Sequence, residues 1–178
     1  MPRPSVRPRL LEAAAHRVVA GGLDDLTLEE VAADAGVSKG GLLYHFPTKA
    51  ALIEALVTDV LERFEQAVDR ASGAGAAPGA WTRAYVDATF DAEVSRPALA
   101  TALLASPDVG AELVAACAAR FADWQRRLEQ DGLDAGTAAT IRFACDGWWT
   151  LTSLTGDGDR DARLLRDRLH HLIDEEVP

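Results

Sequence analysis

Cysteine is nearly missing from this 178-residue chain, with Cys117 and Cys145 the only two. Two thiols do not make the disulfide framework of a small secreted domain. Long apolar runs are missing too. No stretch reaches ~18 apolar residues, so no membrane span is expected. The opening MPRPSVRPRL lacks the apolar centre of a signal peptide, and a soluble, cytoplasmic protein is the expectation. No long stretch alternates apolar with polar residues, which removes the main sign of half-buried strands. There is no nucleophile motif and no phosphate-cradling loop, and His16, His45, His170 and His171 are scattered. The chain therefore does not read as an enzyme, and no cofactor or metal site is expected. Asp157, Asp159 and Asp161 are spaced like the start of a calcium loop. Ala162 replaces the required Gly and Arg168 the closing Glu, so this stretch reads as a solvated turn.

Ala and Leu dominate an apolar content of 48%. Such a composition, with period-3.6 patterning and fewer Val and Ile, points to an all-α fold. The net charge is −10, which by itself argues against phosphate as a partner. Its distribution argues otherwise. Residues 1–51 hold six basic and six acidic side chains and are neutral, whereas residues 52–178 carry the whole surplus of acid. Both lysines of the chain, Lys39 and Lys49, fall in the neutral part.

Start and stop signals divide the chain into about nine helices. The first runs from near Pro8 to Gly21. Thr27, followed by Glu30, forms a capping box for the second, with Leu26 and Val31 as a hydrophobic staple and Gly36 as the stop. Ser38 caps a short third helix that ends before Pro47. Thr48 caps a long fourth one carrying Leu52, Leu56, Val60 and Phe64. After the turn at 72–80, helices are expected at 81–93, 96–105, 108–130, 135–154 and 160–175.

Two short capped helices around a tight glycine turn match a helix-turn-helix, whose second helix enters the major groove of DNA. Here that helix is 38–45, with Leu42 and Phe46 facing inward. Gly40 and Gly41 each cost ~1 kcal/mol in a helix interior against Ala. A missing Cβ lets a backbone approach phosphate or a base edge. Lys39 and Lys49 each lie in the first turn of a helix, where a cation is mildly unfavourable without an anionic partner. Arg3, Arg7 and Arg9 precede the first helix as a basic arm or a solvated terminus.

The segment TLEEVAADAGVSKGGLLYHFPTKAALIEAL (27–56) resembles the DNA-binding region of the TetR family of transcriptional repressors. The residues that carry the resemblance are Thr27, Val31, Ala32, Ala35 to Ser38, Gly40, Leu42, Tyr44 to Phe46, Thr48, Lys49 and Leu52. Gly41 stands where Thr, Ser or Ala is more usual. Leu43 stands where many members carry Tyr. The resemblance implies an N-terminal three-helix DNA-binding domain (1–48) and a C-terminal helical ligand-binding and dimerisation domain (49–178). Thr27, Ser38, Lys39, Gly40, Gly41, Tyr44, His45 and Lys49 are the implied DNA contacts, with Lys39 the candidate for a base edge.

The resemblance also implies a homodimer, a double-stranded DNA operator of palindromic sequence, and a small apolar or amphipathic effector that releases the repressor. The last two helices would supply the dimer interface through Ala144, Gly147, Leu165, Leu169, Leu172 and Ile173. Trp81, Tyr85, Phe121, Trp124, Phe143 and Trp148 would line the effector pocket. Asp87, Asp91, Asp146, Thr150 and Thr152 are available as polar partners, and an acidic group beside indoles would suit a cation. An acidic helical adaptor without DNA binding, or a redox- or metal-sensing regulator using the two cysteines, is the alternative.

Overall fold

A computed structural model describes residues 6–23, 25–73, 77–91, 109–155 and 159–177, together with Val94, Arg96, Leu99, Leu103, Leu104 and Ser106. Among the described residues there are eight helices and no strand: α1 Val6–Gly21, α2 Leu28–Asp34, α3 Lys39–His45, α4 Lys49–Ser72, α5 Ala80–Phe90, α6 Ala111–Gln130, α7 Ala135–Thr155 and α8 Asp159–Glu176. The helix expected at 96–105 lies largely outside the described residues, as do Arg3 and Asp157.

The first three helices form a small bundle because each end is chemically specified. The Thr27 hydroxyl accepts from the Glu30 amide at 3.3 Å, Ser38 from Gly41 at 3.1 Å and Thr48 from Ala51 at 3.0 Å. Losing one such cap typically costs ~1 kcal/mol. Gly36, at φ +65°, closes α2, its amide bonding Ala33 and that of Val37 bonding Ala32. This is the glycine stop expected there. α1 packs on α2 and α4, and α2 on α3. Leu10, Leu11, Ala14, Leu26, Val31, Leu42 and Phe46 are all buried.

α4 is the spine. Its buried stripe (Leu52, Ile53, Leu56, Val57, Val60, Leu61, Phe64 and Val68) starts beside α1 and ends beside α5. α5 also packs on α6, α7 and α8, and α7 packs on both α6 and α8. The turn before α5 is tight: a Cβ on Gly79 would come within 2.8 Å of Val177 and 3.0 Å of Ile173. Glycine is thus required where α5 begins against the end of α8.

Candidate nucleic-acid interface and body cavity

α3 is amphipathic over only seven residues. Leu42 faces in, while Ser38, Lys39, Gly40, Leu43 and Tyr44 face out, Tyr44 being 85% exposed. Its two glycines differ. A Cβ on Gly40 would meet nothing within 4 Å, so nothing inside the chain demands glycine there. A Cβ on Gly41 would lie 3.3 Å from the Ser38 hydroxyl and press on the helix cap. Gly40 therefore leaves an open approach to the backbone, and Gly41 has a reason within the fold. His45 is half-buried, its ring edge-on to Tyr44 with centroids 5.2 Å apart.

The basic groups are less free than their spacing suggested. Lys39 Nζ is paired with Glu29 across the helix turn. The bond to Lys39 is the main reason the Glu29 carboxyl lies below its ordinary range. Exposed ion pairs are weak, so phosphate or a base edge can take this ammonium readily. Lys49 Nζ donates to the Leu23 carbonyl at 2.8 Å, which ties the start of α4 to the α1–α2 loop and leaves two donors. The Thr27 hydroxyl donates to Glu30 at 2.8 Å, so it can donate to phosphate only once that bond breaks. Arg7 and Arg9 do not form an arm. Both lie in α1, Arg7 over the Phe46 ring at 5.6 Å and Arg9 donating to the Ala35 carbonyl. Arg17 grips Asp34 with two nitrogens and lowers its carboxyl.

The body is built round a knot of rings. Phe64 lies 4.9 Å from Trp124, 5.3 Å from Trp149 and 5.4 Å from Tyr85, centroid to centroid. Trp81 stacks on Tyr85 at 5.4 Å, and Phe121 meets Trp124 at 5.1 Å. Trp81, Tyr85, Phe121 and Trp124 are thus brought together, and all of these but Trp81 line the cavity beside the knot. Phe143 and Trp148 are not. Phe143 is 63% exposed, and Trp148 packs on Phe90 at 5.3 Å. The buried stripe of α7 runs Ala138, Ile141, Cys145, Trp149, which leaves Trp148 at its edge. Trp148 and Trp149, seven and eight residues on from Ile141, both lie near one helical face, so spacing alone does not decide which is buried. Phe64 and Trp149 stand at the centre, although neither is among the six residues expected to line the pocket.

Beside the knot is a cavity of 340 Å³ lined by Tyr85, Ala118, Phe121, Ala122, Trp124, Gln125, Arg142 and Asp146. Arg142 and Asp146 are one turn apart on α7, Nε to Oδ2 at 3.7 Å, too long for a hydrogen bond. Arg142 Nε is buried without a hydrogen-bond partner. Burial raises the Asp146 carboxyl, and Arg142 only partly offsets this. Both cysteines are buried, and burial pushes the Cys145 thiol up to about 12 and also raises Cys117. Thiols so protonated are poor nucleophiles and ligands, which gives no support to a redox sensor.

On the far side of α7, Phe143, Ala144, Gly147, Trp148 and Leu151 face α8 residues Leu164 and Leu165 along one open groove. Phe143 and Leu164 are each 63% exposed and Leu151 50%. A Cβ on Gly147 would meet nothing within 4 Å. Of the expected interface residues, Ala144, Gly147 and Leu165 lie on this face and Leu172 is half-buried. Leu169 and Ile173 do not face outward: they are 2% and 0% exposed, packed in their own subunit, Ile173 against Gly79.

One link joins the first bundle to the segment beyond α5. Arg96 grips Glu12 of α1 with both terminal nitrogens, at 3.1 and 2.8 Å. Arg63 of α4 stands 3.9 Å from the same carboxylate. This grip is the largest cause of a Glu12 carboxyl below its usual range. No pattern in the sequence pointed to this pair.

Comparison with known proteins agrees with this architecture. Residues 10–56 match the family described as "Bacterial regulatory proteins, tetR family". Residues 79–174 match "Tetracyclin repressor-like, C-terminal domain". The HTH-type transcriptional regulator BetI of Pseudomonas aeruginosa strain PAO1 is 30% identical over 175 residues, covering 91% of this chain and 89% of that protein. BetI of Paraburkholderia phytofirmans is 38% identical over 97 residues, 53% of this chain and 50% of that one, so this match spans half the relative. Among solved structures, a transcriptional regulator from Rhodococcus sp. Rha1 superposes with a TM-score of 0.72 at 20% identity, over 98% of this chain and 100% of that one. The multidrug binding protein EbrR complexed with malachite green gives 0.66 at 25% identity, over 98% and 99%.

Proposed function

Because the chain belongs to the TetR family of bacterial regulatory proteins, which are helix-turn-helix transcriptional regulators and not enzymes, we propose that it represses from a palindromic operator as a homodimer. The observation that carries this reading is the outer row of α3: Lys39, Gly40 and Tyr44, exposed and held by a helix whose inner side is fixed by Leu42. Residues 1–48 act as the reading head and 49–178 as the body. Lys39 reaches a base edge. Thr27, Ser38, Gly41, Tyr44, His45 and the spare donors of Lys49 position the head on phosphate, and Gly40 lets the backbone come close. Among the described residues no helix is long and apolar enough to cross a membrane, in keeping with a regulator at work on DNA in the cytoplasm.

The groove of Phe143, Ala144, Gly147, Leu151, Leu164 and Leu165 meets the same groove of a second copy. An isologous contact of this kind gives a two-fold dimer. Two heads ~34–36 Å apart then read successive major grooves. The effector enters the cavity beside Tyr85 and Trp124. The likeness to EbrR, whose structure holds malachite green, supports a small-molecule site in this body. α4 carries Phe64 at the ring knot and Leu52 near the head, so it serves as the lever between them. Coupling of ~1–3 kcal/mol would change operator affinity severalfold to a hundredfold.

Selection from a random duplex pool by the purified protein tests the reading. A recovered palindrome is the expected result. No enrichment by folded, dimeric protein would overturn DNA recognition and favour an adaptor.

A further inference from the structure

The effector of this cavity is identified by the wall that α7 builds. Tyr85, Phe121 and Trp124 line one part, which suits a flat ring. Arg142 and Asp146 line another, at 3.7 Å from each other and without a hydrogen bond between them. Arg142 Nε is a buried donor without an acceptor, and Asp146, its side chain 43% exposed, presents a carboxylate acceptor on the same wall.

The sequence alone suggested a cation, drawn by a carboxylate beside indoles. The structure argues against it, because any cation close to Asp146 is also close to the Arg142 guanidinium. Attraction and repulsion both fall as the inverse of distance and nearly cancel. An anion suffers the reverse cancellation. A molecule with a hydrogen-bond acceptor beside a donor satisfies both groups at once, and it relieves the uncompensated burial of the Arg142 side chain. At 340 Å³ the cavity sits at the small end of the ~300–1,000 Å³ of ligand pockets, which limits the occupant to one or two fused rings.

Resting on the effector reading above, the geometry points to an uncharged, planar effector that presents an N–H next to a C=O, a lactam or cyclic amide edge, to Asp146 and Arg142. The ring lies against Tyr85 and Trp124. The guanidinium that receives the carbonyl also covers the Phe143 ring at 4.3 Å, so its movement on binding is felt on the outer face of α7.

Four bicyclic probes of similar shape test this by quenching of tryptophan fluorescence: 2-quinolinone, N-methylquinolinium, 2-naphthoate and naphthalene. 2-Quinolinone is expected to bind at least tenfold tighter than the other three. Arg142→Gln is expected to shift preference to N-methylquinolinium, and Asp146→Asn to 2-naphthoate. The wild-type order alone decides the matter if a variant fails to fold. Tightest binding by either ion, or equal binding of naphthalene, would overturn the ligand class and leave the cavity as the effector site. Binding of none of the four would overturn the inference. The effector reading itself would fall only if a broad small-molecule panel also failed to release the operator.

Discussion

Two phenylalanines on different helices separate the core of the subunit from its outer face. Phe64 is 0% exposed and touches the rings of Tyr85, Trp124 and Trp149. Phe143 is 63% exposed and touches the Arg142 guanidinium. Truncating a buried Phe to Ala costs ~3–5 kcal/mol, lost transfer energy plus the hole left behind. At Phe64 three large rings on three other helices surround the hole and cannot all move in, so about 4 kcal/mol is expected. For a chain of this size that lowers the melting temperature by ~8–16 °C. Phe143→Ala forfeits an exposed cation–π contact of ~0.5–1 kcal/mol and little else within one subunit. It removes apolar area from the proposed interface, however, so its cost should be largest at high protein concentration and fade as dilution below the dimer dissociation constant leaves both proteins monomeric. Urea unfolding at several protein concentrations, with sedimentation equilibrium, reads both. Equal and concentration-independent losses for the two variants would refute the assignment of Phe143 to an interface. A loss under ~1 kcal/mol for Phe64→Ala would refute the ring knot as the centre of the body.

Lys39→Ala should relax base preference at one position of each half-site, seen by repeating the sequence selection, whereas Lys49→Ala should weaken all sequences alike and reduce the salt slope by ~1 per site. Glu29→Gln should strengthen operator binding measured by fluorescence anisotropy, because it releases Lys39 from its pair. The Glu12 carboxyl is lowered in the folded state, chiefly by Arg96, so its contribution to stability is present above the ordinary glutamate value of 4.5 and is lost as pH falls through the lowered one. The stability gap between wild type and Glu12→Gln should therefore be present at neutrality and close in acid, as followed by circular dichroism. Cys145, raised to about 12 and fully buried, should resist a thiol-blocking reagent in the native protein, with operator release unaffected; rapid modification with release would revive a redox role.

What the sequence determined by itself was local. Caps at Thr27, Ser38 and Thr48, the stop at Gly36 and the Leu42–Phe46 pair are decided by residues within one turn, and all stand as their spacing implied. Dense local motifs also carried the family resemblance, since the reading head is nearly continuous in sequence. Helix ends in the body moved by up to three residues, as at α6, because fraying and packing decide them rather than caps. Facing was another matter. An apolar side chain at helical spacing is bound to be covered, but by what depends on helices far away in the chain. Ile173 meets Gly79, Trp148 meets Phe90, and Phe143 stands open. The same holds for charge. Arg9 on Ala35, Lys49 on Leu23 and Arg96 on Glu12 join residues from 26 to 84 positions apart. Only the packed bundle brought those groups within reach, because electrostatic contacts depend on distance in space and carry no period in the sequence.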